Sequence, residues 1–169
     1  VSIDSSLISE NTAIFHGGGI YTMGTLNMGY STVISNTAAS DGGGLYGFDG
    51  LATLINTTIS GNQADENGAG IYTTYNAVVR LANVTVSNNT ADADDNGNGK
   101  GGGVYQDSSS GIYIKNSIIA GNEDLTTTFE PYAPDCYGEL TSYRNNLVGL
   151  VTALCSLAGD LAGMQFNNL

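Results

Sequence analysis

Ile8-Ser9-Glu10-Asn11, followed six residues after the Asn by Gly17-Gly18-Gly19-Ile20-Tyr21, is a phrase this chain writes about five times. It returns as Ile34-Ser35-Asn36 with Gly42-Gly43-Gly44-Leu45-Tyr46, and as Ile59-Ser60-Gly61-Asn62 with Gly68-Ala69-Gly70-Ile71-Tyr72. A fourth copy runs Val86-Ser87-Asn88-Asn89 to Gly101-Gly102-Gly103-Val104-Tyr105, and Ile119-Ala120-Gly121-Asn122 is a fifth half-copy. A period of roughly 25 residues, rich in Gly, Asn, Thr and β-branched side chains, marks a solenoid whose units bury apolar surface against their neighbours.

Each unit divides into three short β segments. In the first, period-2 geometry puts Ile20, Leu45, Ile71 and Val104 on one face and Tyr21, Tyr46, Tyr72 and Tyr105 on the other. In the second, Leu26/Met28, Ala52/Leu54, Val79/Leu81 and Ile112/Ile114 point one way, with Asn27, Thr53, Arg80 and Tyr113 between them pointing the other. The third carries the column Ile8, Ile34, Ile59, Val86, Ile119 and ends at Asn11, Asn36, Asn62, Asn89 and Asn122. Like residues stacked about 4.8 Å apart make parallel, in-register ladders. The expected fold is therefore all-β: a right-handed parallel β-helix of about five coils over residues 1–122, three short strands per coil. Residues 123–169 are expected to form a terminal coil or cap. The Asn column is expected at a corner, each amide bonding backbone and the Asn of the next coil.

Composition excludes two classes of partner. Sixteen acidic residues against four basic ones give a net charge of −12, which repels nucleic acid and anionic membranes. The apolar run from Leu147 to Met164 contains Asp160, three glycines and a Cys, so no membrane insertion is expected. The chain opens at Val1 inside a repeat, without a signal peptide, and reads as a processed or excised part of a larger product.

The alternation of apolar-x-x-Asn with Gly-Gly-x-apolar resembles the repeats of polymorphic outer membrane proteins and of other secreted bacterial β-helix proteins. Ile8/Asn11, Ile59/Asn62, Val86/Asn89 and Ile119/Asn122 carry that spacing, and the second coil, with Ile34 and Asn36, is one residue short. The tail, with Asp135-Cys136-Tyr137-Gly138, Asn146-Leu147-Val148-Gly149 and Gly159-Asp160-Leu161, resembles the ends of anchored surface β-helix proteins. The resemblance implies an extracellular or cell-surface, non-enzymatic protein. Such motifs speak to fold far more than to activity.

Four constellations are candidates for chemistry. In the fourth coil Gly101 comes twelve positions after Asn89 where the other coils have an offset of six, and the insert holds Asp92-Ala93-Asp94-Asp95-Asn96-Gly97-Asn98. Oxygen ligands at alternate positions with a Gly for the turn suit Ca²⁺: Asp92, Asp94 and Asn96 by side chain and Asn98 by carbonyl, with Asp65 and Glu66 from the coil below. The plain alternative is a solvated acidic turn. Cys136 and Cys155, the only cysteines, are expected to pair in a secreted chain. The tyrosine column is expected as an exposed aromatic strip, either a platform for a glycan or a structural ladder. His16 sits at a turn position occupied elsewhere by Asp41, Asn67 and Lys100, which argues against catalysis.

Polysaccharide lyases and hydrolases also use β-helices. A lyase needs clustered cations, yet Arg80, Lys100, Lys115 and Arg144 are scattered; a hydrolase needs paired carboxylates across a cleft, which no motif supplies. The expectation is a non-enzymatic extracellular structural module that self-associates through its open coil edges, with a head-to-tail filament as the form of assembly. Its rival is an adhesin or carbohydrate-binding passenger with a glycan or host-surface ligand.

Overall fold

The computed structural model describes residues 1–126 and 132–167. Among them every strand pairing is parallel and no helix occurs, so the chain is a parallel β-helix as its repeats predict. The strands group into an 11-stranded, a seven-stranded and a five-stranded sheet.

One coil shows how the sequence makes the turn. Leu45–Phe48 starts from the triple glycine, Leu51–Ile55 follows, then Thr58–Ser60, and a two-residue strand, Gln63–Ala64, closes the circuit after the Asn corner. That last short strand is an addition to the three segments legible in the repeat. Strands stay short because each corner is fixed by a left-handed residue. Tyr30, Asn56, Asn83 and Asn116 mark one corner, and Glu10, Ser35, Gly61, Asn88 and Gly121 a second. Gly17, Gly42, Gly68 and Gly101 mark the third, with φ between +62° and +71°. A Cβ on Gly17 would lie 2.7 Å from the Ile20 carbonyl oxygen, so this corner admits only glycine.

The core is a set of columns. Leu45, Ile71, Val104 and Cys136 line one wall, Leu26/Met28 to Ile112/Ile114 the second, and Val33, Ile59, Val86, Ile119 and Val148 the third, all buried. The third column corrects the sequence reading at one place. Ile8 and Ile59 both pair with Val33, while Ile34 aligns with Ser9 and Ser60 and is only half-buried. Val33 to Asn36 is the same apolar-x-x-Asn spacing as in the other coils, so the second coil is not short. Two adjacent β-branched residues had made the one-residue offset invisible to pattern.

The tail continues the stack past the repeats. Cys136–Tyr143 pairs with Val104–Gln106 at its start and with Gly111–Lys115 further on, and so joins two walls into one sheet. Leu147–Leu150, Cys155–Asp160 and Gln165–Asn167 add further layers. Residues 127–131 and 168–169 of the expected cap lie outside the described residues.

Candidate functional site

Two ladders, one loop and one disulfide carry the distinctive side chains. The corner asparagines form a continuous chain of amides. Asn11 Nδ2 donates to Asn36 Oδ1 at 2.9 Å, Asn36 to Asn62 at 3.0 Å, Asn62 to Asn89 at 2.9 Å and Asn89 to Asn122 at 2.9 Å. The same Oδ1 atoms accept the backbone N–H of the preceding Asn, at 3.0–3.1 Å. Asn36, Asn62 and Asn89 are wholly buried. An amide suits this corner because it donates and accepts at once, whereas a carboxylate only accepts.

The triple glycine and the asparagine belong to one device. The third glycine faces the Asn of the next coil: a Cβ on Gly19, Gly44 or Gly70 would stand 3.0 Å from Nδ2 of Asn36, Asn62 or Asn89 respectively. Past Asn122 the described stack offers no further asparagine in this column. There the glycine position is taken by Asp135, aligned with Gly103 through the Val104–Cys136 pairing. Its Oδ1 accepts from Asn122 N and Nδ2 at 3.0 and 2.8 Å, and its Oδ2 accepts Leu150 N–H at 2.7 Å. Asp135 ends the ladder because the last place needs acceptors only. Sequence reasoning missed it, although the replacement of a ladder glycine by Asp just before Cys136 was a readable signal.

The tyrosines form a second ladder. Tyr21, Tyr46, Tyr72, Tyr105 and also Tyr137 stack with centroids 5.1, 5.1, 5.0 and 4.4 Å apart and planes within 14°. His16 lies on Tyr46 at 4.6 Å, its Nδ1 3.4 Å from Asp41 Oδ2. The strip is therefore less open than expected: Tyr21 is 47% exposed but Tyr46 only 6%. Stacking consumes the ring faces that a glycan platform would present, because successive coils sit at the stacking distance.

Burial first, then the charge of Asp41, pushes the Tyr46 phenol up to about 12, and burial followed by Tyr137 does the same to Tyr105. Tyr72 is raised further, by burial and then Asp41. A folded pKa above the unfolded value of about 10 means stability is whole below pH ~10 and falls as pH rises through about 12. Phenolate absorbance should accordingly show early-ionising tyrosines and a late group whose ionisation coincides with loss of β-sheet ellipticity. A single early transition for all ten tyrosines would contradict the stack.

The acidic insert is organised around Asp92. That side chain is wholly buried, and its carboxylate accepts from Asn96 N at 3.0 Å, Gly97 N at 3.0 Å and Asn98 N at 3.3 Å. Asp94 Oδ2 accepts from Asn96 Nδ2 at 2.7 Å. Asp65 is raised above its ordinary value by partial burial and then by the charge of Asp94; Asp94, Asn96 and Asn98 are exposed, as is Glu66. Among the described residues no group of three or more His, Cys, Asp or Glu gathers to hold a metal. Of the residues expected around calcium, Asp92 turns inward and its carboxylate accepts the turn's own amides, an arrangement that a sequence pattern cannot distinguish from turning toward a cation.

Cys136 and Cys155 form the expected disulfide, their Cα atoms 5.5 Å apart. It ties successive layers of the tail, where Gly138 pairs with Cys155. Closing a loop with a sequence separation of 19 stabilises by about 3 kcal/mol. Reduction should lower the unfolding free energy by that amount and raise amide exchange first in Cys155–Asp160. Unchanged exchange there would show that the layers hold without the bridge.

Together these features define a parallel β-helix held by an asparagine corner ladder and a tyrosine stack. Residues 56–74 and 83–107 match the Chlamydia polymorphic membrane protein repeat, the kind of repeat that the spacing had suggested. That repeat occurs in bacterial outer-membrane and surface proteins, and the match coarsely supports a surface or extracellular location for this chain. No curated protein and no solved structure matches the chain.

Proposed function

We propose that this chain is a non-enzymatic structural segment of a bacterial cell surface, a stiff rod that spaces or joins other parts. The observation that carries this reading is the asparagine ladder. It runs unbroken from Asn11 to Asp135 through the interior of one corner, so bending would break several buried hydrogen bonds together. Around it the conspicuous polar side chains are spent on the fold: Asp92 on its own loop, Asp135 on the ladder end, the tyrosines on one another.

The mode of assembly under this reading is end-to-end stacking of copies. Among the described residues the strands of the first coil pair on one side, and the same edge exposes Leu7, Ile14, Phe15 and Met23. Such an edge templates a further parallel layer. Electron microscopy of the purified chain tests both parts. Rods that associate end to end, with an axial repeat of one subunit, are the expected result. Single rods at every concentration would remove the self-assembly and leave the spacer; bent or flexible particles would remove the spacer too. Turnover of any acidic or neutral polysaccharide by the purified chain would overturn the non-enzymatic assignment.

A further inference from the structure

The tyrosine stack ends in a corner that the repeats do not create elsewhere. Among the described residues Tyr137 has a ring partner on one side, Tyr105 at 4.4 Å. Beyond it the chain returns through Ala153 and Leu154, so the next layer brings no tyrosine. The step leaves a groove of about 530 Å³ bounded by Tyr105, Asp107, Ser108, Tyr137, Glu139 and Ser156, with Leu154 at its side. That volume lies in the range of small-molecule sites, roughly 300–1,000 Å³.

The groove's walls are tied together and part of its polar lining is unspent. The Cys136–Cys155 disulfide anchors both walls, and Gly138 N donates to Leu154 O at 2.9 Å. Gln106 is used internally, Nε2 on Ser110 O and Oε1 on Glu139 N. Asp107 Oδ1 accepts from Ser109. Among the described residues the Glu139 carboxylate, Asp107 Oδ2 and the hydroxyls of Ser108 and Ser156 have no hydrogen-bond partner.

We propose that this groove binds one or two residues of an uncharged saccharide. Among the described residues two carboxylates and no cation line it, which disfavours sulfated and uronate glycans. Hydroxyls that donate and accept, beside carboxylates that accept strongly, match the vicinal hydroxyls of a sugar. Tyr137 and Leu154 offer surface to the apolar C–H face of a pyranose. A purely cationic ligand would leave the serines without a role. The inference goes beyond the rod assignment, and its failure leaves that assignment intact.

The test is a glycan array of neutral, sulfated and uronate oligosaccharides. Amide chemical-shift mapping and calorimetry then follow with the best neutral hit, tetragalacturonate and spermidine. Neutral binding is expected, with shifts at Tyr137, Gly138, Glu139 and Ser156. Glu139→Gln and the blocking Ser156→Arg, both at exposed positions, should each weaken it about tenfold or more, the effect of losing one strong polar contact, while circular dichroism stays unchanged. The proposal falls if no neutral glycan is retained or if binding survives both substitutions. It also falls if tetragalacturonate or spermidine, rather than the neutral sugar, moves these amides.

Discussion

Asn62→Ala should destabilise the helix by about 3 kcal/mol, whereas Asn11→Ala should cost less than about 1 kcal/mol. Both residues belong to one repeat column and look equivalent in sequence. Asn62 is wholly buried; its Oδ1 accepts from Asn36 N and Nδ2, and its Nδ2 donates to Asn89 Oδ1 and Val33 O. Removing it strands the Asn36 N–H in the interior, weakens both neighbours and opens a cavity. Asn11 sits at the exposed end, donates to Asn36 Oδ1 and Ser9 O, and supports no further rung. Asn62→Asp should be as damaging as Ala, because a carboxylate offers no donor to Asn89 Oδ1 or Val33 O. Denaturant midpoints should separate the variants, and amide exchange should show the opening centred on Asn36. Equal midpoints for Asn62→Ala and Asn11→Ala would mean that the ladder is ornament rather than support.

Gly44→Ala is expected to be worse than most single substitutions, about 3 kcal/mol or more. Its Cβ would stand 2.6 Å from Gly70 O, 3.0 Å from Asn62 Nδ2 and 3.1 Å from Ile59 Cγ2. The carbonyl cannot retreat, since Gly70 O accepts from Leu45 N at 3.0 Å in the next layer. Because Gly44 does not hold a left-handed φ, the strain comes from crowding rather than from backbone conformation. By contrast Gly24→Ala meets nothing within 4 Å and should be neutral within about 0.5 kcal/mol. The pair Gly44→Ala/Asn62→Ala should be less than additive, because the second change empties part of the space the first invades. Full additivity would separate the triple glycine from the ladder.

Much of this fold was legible because a solenoid repeats its physics. Tyr21, Tyr46, Tyr72 and Tyr105 recur at one offset from the glycines, and parallel stacking then places them in one column without further information. The Asn column was legible for the same reason. Pattern failed where two answers satisfied it equally. Val33 and Ile34 are both good core residues, and only the pairing of Val33 with Ile8 and Ile59 shows which one turns inward. Asp92 could face solvent or its own loop amides, and the alternating spacing reads the same either way.

The chain's sequence by itself determined that coils stack in parallel, because identical residues at fixed offsets can satisfy one another only when brought into register. It also determined the glycine corner, where Gly17, Gly42, Gly68 and Gly101 take a left-handed backbone that a Cβ would obstruct. Tertiary structure alone decided what happens where the repetition stops. Asp135 takes the place beside Asn122 that a further ladder asparagine would hold, and Tyr137 extends the tyrosine stack past the repeats. The disulfide and the strand Cys136–Tyr143 hold the groove open beside them. A periodic pattern specifies the interior of a stack, where every layer has two neighbours; a boundary has one, and its contacts depend on residues that no repeat announces.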